Sequence, residues 1–234
     1  MNDGVREHRY ADRATLASAL ARAVAADLHR GIVERGQGLL VVSGGTTPRA
    51  FLSALAGEEL AWPRVTVTLA DERWVLPTHP RSNERLARET LLVGRAAAAT
   101  FVPLYAKAPD PESGLAQIAA RIDALPLPFD AVVLGLGNDG HCASLFPDGD
   151  RFDTACDPTN PARVSPMRSS TAGEPRMTLT LPTLASTRAL YLQIEGADKR
   201  DTLAHVRAGD GAYARSPLRA LLRAARVPMD VYSA

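Results

Sequence analysis

The sequence lacks several features that would place it in a specialised class of protein. It has only two cysteines, Cys142 and Cys156, and no CxxC pair, so we expect neither a disulfide framework nor a zinc site. Its net charge of +1 at pH 7 gives no general attraction to nucleic acid or to a membrane surface. It has no apolar run of membrane-spanning length, and residues 1–13 contain no signal-peptide core. These absences predict a cytoplasmic protein that binds neither nucleic acid nor membranes.

Lysine is also scarce, because Lys107 and Lys199 are the only lysines in a chain with 27 Lys and Arg residues. The remaining composition is that of an ordinary globular protein, with 46% hydrophobic and 23% charged residues among 234. A chain of this length can bury one core. We therefore predict a single domain over residues 1–234. The scarcity of lysine makes Lys199 a candidate functional residue.

Helical and strand patterns alternate along the chain. Leu16, Leu20, Val24 and Leu28 repeat at helical spacing, whereas short continuous apolar runs are typical of strands that helices cover on both faces. The predicted helices are 14–35, 48–55, 83–93, 112–125, 197–207 and 217–226. The predicted strands are 39–42, 65–69, 130–134, 177–181, 189–194 and 227–232. This alternation predicts an α/β fold with a mostly parallel, doubly wound, Rossmann-like sheet and helices on both faces.

The unusual polar residues lie between these predicted elements. Residues 71–82 form a polar stretch, and residues 153–175, rich in Pro, Ser and Thr, are predicted as a long loop. In parallel sheets of this kind, ligands bind beyond the carboxyl ends of the strands. Because most of the unusual polar residues follow such ends, the sequence predicts an active site there.

The first candidate is the strand-to-helix connection at residues 43–48, which reads Ser-Gly-Gly-Thr-Thr-Pro. Glycine N–H groups, hydroxyl donors and the start of a helix together suit a phosphate group. No Gly-Lys-Ser/Thr follows, so this is not a Walker loop. The alternative interpretation is a tight turn with a threonine cap.

Charged residues supply further candidates. The run Asp-Glu-Arg-Trp at 71–74 directly follows a predicted buried strand, where charges are costly unless they are paired or used. Ser82-Asn83 offers a helix cap. Arg176 and Lys199 could each complete an anion site. The alternatives are a surface ion-pair cluster for 71–74 and solvated cations for Arg176 and Lys199.

The densest signal is the turn at residues 135–141, which reads Gly-Leu-Gly-Asn-Asp-Gly-His. It satisfies the dinucleotide pattern GxGxxG, but the apolar stretch after it stops at Pro147, where a dinucleotide fold requires a long helix. We therefore discount NAD binding. His141 can take and return a proton near neutral pH, and Asp139 can orient its ring. The alternative is a helix-capping histidine with a structural aspartate.

Several blocks of the sequence resemble those of one enzyme family. They are 43–48, 71–75 with 82–83, 135–147, 176–180 and 195–199. In this order, over nearly the whole chain, they are similar to 6-phosphogluconolactonases, and the central block Gly-Leu-Gly-Asn-Asp-Gly-His-Cys-Ala-Ser-Leu-Phe-Pro is the most specific. Cys142 stands where that family often has threonine, and this difference is not expected to affect the chemistry.

A related family, the glucosamine-6-phosphate isomerase/deaminases, has a glutamate immediately before the corresponding proline. Phe146 occupies that position here. An apolar ring cannot relay a proton, so the opening and isomerisation of an amino sugar would lose a participant. Hydrolysis of a lactone needs only one base and a water, which favours the lactonase.

The resemblance implies a hydrolase of the oxidative pentose phosphate pathway that converts 6-phospho-D-glucono-1,5-lactone to 6-phosphogluconate without a metal or cofactor. His141 would be the general base, Asp139 would orient it, and Arg73 would stabilise the oxyanion. The phosphate would bind to Ser43, Gly44, Gly45, Thr46, Arg176 and Lys199. The alternatives are a sugar-phosphate isomerase or deaminase, a non-catalytic sugar-phosphate sensor and, more remotely, an NAD-dependent oxidoreductase. A monomer or small homo-oligomer is expected.

Overall fold

The computed structural model describes residues 4–234; residues 1–3 of the predicted domain lie outside the described residues. The strands are β1 (Val5–Arg9), β2 (Gly38–Val42), β3 (Val65–Leu69), β4 (Asp71–Arg73), β5 (Thr100–Val102), β6 (Ala131–Leu134), β7 (Val164–Met167), β8 (Arg176–Leu179), β9 (Leu190–Ile194) and β10 (Met229–Ser233). The helices are α1 (Arg13–Arg35), α2 (Arg49–Ala56), α3 (Asn83–Thr90), α4 (Pro111–Asp123), α5 (Phe152–Cys156), α6 (Leu181–Ala185), α7 (Ala197–Ala208) and α8 (Pro217–Ala224).

The main sheet of the described chain has the strand order β1-β10-β9-β6-β2-β3-β5, and all its neighbouring strands are parallel. Every residue of β2, β6 and β9 is buried. Successive strand residues point to opposite faces, so both faces of the central sheet are covered. The predicted α/β fold with a mostly parallel sheet is confirmed.

The chain reverses its direction of travel across the sheet between β2 and β6. From β2 it proceeds to β3 and β5 on one side, and from β6 to β9 and β10 on the other. Such a switch point leaves a crevice beyond the carboxyl ends of the two strands. The turns at residues 43–48 and 135–141 both leave strands at this crevice.

Helix α1 covers the sheet with a face of small and apolar residues. The Asp12 side chain accepts a hydrogen bond from the backbone N–H of Thr15 at 2.8 Å and so caps the first turn. Gly36, with φ of 78°, ends the helix in the left-handed region that favours glycine. Within residues 4–234, no helix is both long enough and apolar enough to span a membrane.

Besides β7, which is described below, three short strands were not predicted from the sequence. β1 is a polar edge strand, whose Arg6 and His8 pair with the buried Asp230 of β10, so it lacks the apolar run expected of a strand. β5 contains only three residues. β4 lies within the polar stretch 71–82, and it forms a strand because it pairs with β8, about a hundred residues later.

The prediction of an irregular loop over residues 153–175 is wrong. This segment contains most of α5 and the whole of β7. β7 pairs antiparallel with β8, which pairs antiparallel with β4, and these strands form a small second sheet. This sheet joins β4 to β7 and β8, which lie about a hundred residues later in the chain. No local pattern in residues 153–175 indicates that pairing.

Candidate active site

A cavity of about 660 Å³ opens beyond the carboxyl ends of β2 and β6. It is lined by all nine residues that the sequence singled out, namely Ser43, Gly44, Gly45, Thr46, Arg73, Asp139, His141, Arg176 and Lys199. The two turns at the switch point and the small antiparallel sheet bring these residues together. Their individual roles remain predictions.

His141 and Asp139 form a hydrogen-bonded pair at the end of the turn that follows β6. The Nδ1 of His141 lies 2.5 Å from Oδ1 of Asp139. The His141 side chain is 30% exposed, so the ring reaches the cavity without being fully solvated. Burial acts to raise the pKa of Asp139, but its hydrogen bond and charge interaction with His141 together lower that pKa.

Gly137 leaves room for this pair. A Cβ at Gly137 would lie 2.2 Å from both Cε1 and Nδ1 of His141 and 2.7 Å from Oδ1 of Asp139. The N–H of Gly137 donates to the carbonyl of His141 at 2.8 Å, which closes the turn. Residues 142–151 after the turn form no helix, so the long helix of a dinucleotide fold is absent there.

The turn after β2, residues 43–47, presents its backbone to the cavity. The hydroxyl of Ser43 donates to the carbonyl of Val133 at 3.1 Å, which ties this turn to β6. Within residues 4–234, the N–H groups of Gly44, Gly45 and Thr46 donate to no protein acceptor. Three free N–H groups next to the start of α2 form a site suited to an anion.

Asn83, at the start of α3, fixes this turn from the side. Its Nδ2 donates to the carbonyl of Asp71 at 2.8 Å. A Cβ at Gly44 would lie 1.8 Å from Oδ1 of Asn83. Ser82 caps α3, as predicted, by accepting a hydrogen bond from the N–H of Arg85, whereas the cavity-lining position of Asn83 was not foreseen.

Arg73 and Arg176 occupy directly paired positions on β4 and β8. Arg176 is buried, and its guanidinium donates to the carbonyls of Ala172 at 2.7 Å and Glu174 at 3.2 Å. Burial and the neighbouring charge of Arg73 lower the pKa of Arg176, although nearby Asp71 opposes this. Like charges that face each other across a strand pair are unfavourable, so this pair adds a strong attraction for an anion.

The buried carboxylate of Glu72 holds β4, the strand that carries Arg73, in place. Glu72 is fully buried and accepts hydrogen bonds from the backbone N–H groups of Arg73 at 2.8 Å, Asn83 at 2.7 Å and Glu84 at 2.7 Å. Burial raises the pKa of Glu72 to about 7, and the three backbone donors oppose the rise. The side chain of Arg73 is held separately, because its Nη1 donates to the carbonyl of Arg81 at 2.6 Å.

Lys199 approaches the cavity from α7. Its Nζ donates to the carbonyl of Leu136 at 2.7 Å, so it also contacts the turn that carries His141. Burial lowers the pKa of Lys199, and the nearby carboxylates of Asp139 and Asp198 oppose that shift. Lys199, one of only two lysines in the sequence, therefore contacts the turn that carries the Asp139–His141 pair.

The sequence interpretation missed Gln193 and, although Asp71 belongs to the candidate run 71–74, it missed the partner of Asp71. Gln193 is buried on β9, and its Nε2 donates to the carbonyl of Thr47 at 3.1 Å. A glutamine inside the apolar run 190–194 was the available signal. Asp71 is buried and accepts a hydrogen bond from the hydroxyl of Ser144 at 2.5 Å. No local pattern indicates that pairing, because the two residues are 73 positions apart.

The ring of Phe146 packs against the imidazole of His141. The centroids of its ring and of the His141 imidazole lie 4.6 Å apart. No carboxylate therefore occupies the position at which the isomerase/deaminase relatives have glutamate. Within residues 4–234, no group of three or more His, Cys, Asp or Glu side chains is placed to hold a metal ion.

Comparisons with known proteins show the family to which the chain belongs. The family model described as glucosamine-6-phosphate isomerases/6-phosphogluconolactonase matches residues 11–228. A 6-phosphogluconolactonase of Rhizobium meliloti is 47% identical over 225 residues, which cover 96% of this chain and 97% of that protein. One of Pseudomonas aeruginosa is 44% identical over 221 residues, which cover 94% of this chain and 92% of that protein.

The fold has close counterparts among solved structures. The crystal structure of a 6-phosphogluconolactonase from Shewanella baltica superposes with a TM-score of 0.93 at 36% identity and covers 98% of both chains. Sequence and fold thus lead to one assignment: the chain belongs to the glucosamine-6-phosphate isomerase/6-phosphogluconolactonase family.

Proposed function

We propose that the protein hydrolyses 6-phospho-D-glucono-1,5-lactone to 6-phosphogluconate, as a step of the oxidative pentose phosphate pathway. The 6-phosphogluconolactonases at 47% and 44% identity support the substrate class. The observation that carries the proposal is that His141 and the free N–H groups of residues 44–46 line one cavity of about 660 Å³. A sugar phosphate can span that cavity with its phosphate at one end and its lactone at the other.

The phosphate binds at the turn of residues 43–46. The free N–H groups there and the positive end of the α2 dipole attract an anion. Arg176 and Lys199, which also line the cavity, add positive charge.

His141 acts as the general base. Its Nδ1–H donates to Asp139, which leaves the lone pair of Nε2 free to accept a proton from water. The water oxygen then bonds to the lactone carbonyl carbon, and the carbonyl oxygen becomes an oxyanion beside Arg73. When the bond from that carbon to the ring oxygen breaks, His141 returns the proton to the ring oxygen. The products are a carboxylic acid and a free hydroxyl.

Phe146 argues against the isomerase/deaminase alternative. That reaction moves protons between sugar carbons and oxygens and needs a further acid near the histidine. The aromatic ring at this position packs on His141 instead. Incubation with glucosamine 6-phosphate is therefore expected to release no ammonia, and release of ammonia would favour the isomerase/deaminase.

The experiment that tests the proposal compares two lactones. Hydrolysis of 6-phospho-D-glucono-1,5-lactone and of D-glucono-1,5-lactone is followed at equal concentration and corrected for the spontaneous rate. We expect the phosphorylated lactone to have a kcat/KM at least about a hundredfold higher, since charge-assisted contacts to its phosphate are each worth about 1.5–3 kcal/mol. No acceleration over the spontaneous rate, together with tight binding of the phosphorylated lactone, would favour a sensor.

A further inference from the structure

We infer that residues 210–216, here called the supporting segment, hold the turn that carries His141, with Tyr213 and Ser216 as positioning residues. Residues 211–215 form a short 3-10 helix between α7 and α8. The segment contributes nothing to the lining of the cavity. Its importance for turnover depends on the proposed function, whereas its effect on the turn does not.

The supporting segment donates to the carbonyls on both sides of Asp139. The buried hydroxyl of Ser216 donates to the carbonyl of Gly140 at 2.7 Å. The hydroxyl of Tyr213 donates to the carbonyl of Asn138 at 3.0 Å. Asp139 therefore sits between two anchored peptides, and its carboxylate in turn holds the His141 ring.

The contact is close-packed as well as hydrogen-bonded. A Cβ at Gly140 would lie 3.0 Å from Cδ1 of Tyr213, 3.1 Å from Oγ of Ser216 and 3.1 Å from Cγ2 of Val206. Gly140 has a φ of 82°, in the left-handed region that favours glycine. The turn thus packs so closely on the supporting segment at Gly140 that a side chain there would be crowded.

The supporting segment is itself fixed. The N–H of Tyr213 donates to the carbonyl of Asp210 at 2.9 Å, and the N–H of Ser216 donates to the carbonyl of Tyr213 at 3.0 Å. The Tyr213 ring stacks on His205 of α7 with centroids 5.7 Å apart and an interplanar angle of 10°. The segment is thus closed by its own backbone hydrogen bonds and contacts α7 through the ring of Tyr213.

Besides these donors, the turn is held by two backbone hydrogen bonds of its own and by Lys199. Glycine at positions 135, 137 and 140 gives its backbone wide conformational freedom. A displacement of a catalytic group by about 1 Å can lower a rate by about a hundredfold. The supporting segment therefore acts on turnover through the placement of Asp139 and His141 and leaves the phosphate contacts unchanged.

The test removes single hydroxyls. Ser216→Ala should lower kcat by about tenfold with little change in KM, and Tyr213→Phe, at a more exposed bond, by about threefold. Ser165→Ala is the matched control, because Ser165 is a buried serine on β7 whose hydroxyl donates to the carbonyl of Pro166 at 2.9 Å. Tyr10→Phe is the control for Tyr213→Phe, because Tyr10 also stacks on a ring, that of Tyr232, and does not line the cavity. Both controls should keep the wild-type kcat.

Hydrogen exchange gives a readout that needs no turnover. The N–H groups of Gly137 and Gly140 donate within the turn, and their exchange measured by NMR should accelerate by about tenfold in Ser216→Ala but not in Ser165→Ala. Equal exchange in these two variants would overturn the inference whatever the activity. A wild type that fails to hydrolyse the lactone would refute the proposed function. The exchange result would then still show whether the supporting segment holds the turn that carries His141.

Discussion

Replacing Gly137 with alanine adds one methyl group where the side chains of His141 and Asp139 leave no room for it. The new Cβ would lie 2.2 Å from Cε1 and Nδ1 of His141 and 2.7 Å from Oδ1 of Asp139. Gly137 is not among the glycines with positive φ, so alanine can adopt its backbone conformation. The substitution therefore disturbs the imidazole and the carboxylate more than the fold.

The size of the effect follows from the overlap. Carbon atoms in contact lie about 3.5 Å apart or more, so the His141 ring must retreat by roughly 1.3 Å. Such a shift breaks the 2.5 Å hydrogen bond to Asp139 and moves Nε2 away from the attacking water. Because a misplacement of about 1 Å costs about a hundredfold in rate, we expect kcat to fall by at least that factor. KM should change less than kcat, since the turn of residues 43–46, where the phosphate is proposed to bind, follows β2 and not β6.

The assay is hydrolysis of the phosphorylated lactone by the purified variant, with thermal unfolding as a check of the fold. Gly135→Ala is the matched comparison, because a Cβ at Gly135 meets nothing within 4 Å and its φ is not positive. This variant should lose far less kcat than Gly137→Ala. Equal kcat in Gly137→Ala and the wild type would refute the argument that the Asp139–His141 geometry controls the rate.

Two further predictions concern charge. Lys199→Ala should raise KM for the phosphorylated lactone by about tenfold or more but leave KM for the unphosphorylated lactone unchanged; a loss confined to kcat would place Lys199 with the His141 turn and not with the phosphate. Burial raises the pKa of Glu72 from an ordinary 4.5 to about 7, so the folded state binds this proton more tightly than the unfolded state. The stabilisation is complete below about pH 4.5 and is lost as pH rises through about 7; urea unfolding from pH 4 to 8 should show this slope in the wild type, and a slope equally steep in Glu72→Gln would exclude Glu72 as its source.

The main elements were predictable because local patterns determine them. The apolar repeat of Leu16, Leu20 and Leu28 and the stop at Gly36 defined α1, and the run 65–69 defined β3 with both its ends. These segments are buried on the faces that their periodicity indicates. The parallel sheet follows from their alternation.

The small sheet was not predictable, because its strands owe their conformation to distant partners. β4 has the sequence Asp-Glu-Arg, which has low strand propensity, and it becomes a strand by pairing with β8 about a hundred residues later. Glu72 tolerates burial there only because several donors from residues 73–84 surround it. Neither condition can be read from the local sequence.

Nine residues that line the candidate site were predictable, but Asn83, Gln193 and the contacts within the site were not. Glycines, hydroxyls and charges at strand ends are visible in the sequence, and the fold brings them to one crevice. The contact of Lys199 with Leu136 and the support of Gly140 by Ser216 depend on how α7 and α8 pack. Contacts of this kind, between a helix and a distant turn, can be identified only from the three-dimensional structure.

The central claim is that the imidazole of His141 activates water against a lactone tethered by its phosphate. The most direct measurement is the kcat of His141→Ala on 6-phospho-D-glucono-1,5-lactone, with His29→Ala, at an exposed histidine of α1, as the control. We predict that His141→Ala unfolds like the wild type, binds the lactone with little change, and loses about 10²–10⁴-fold in kcat, the usual contribution of a positioned general base. A kcat equal to that of His29→Ala would contradict the claim.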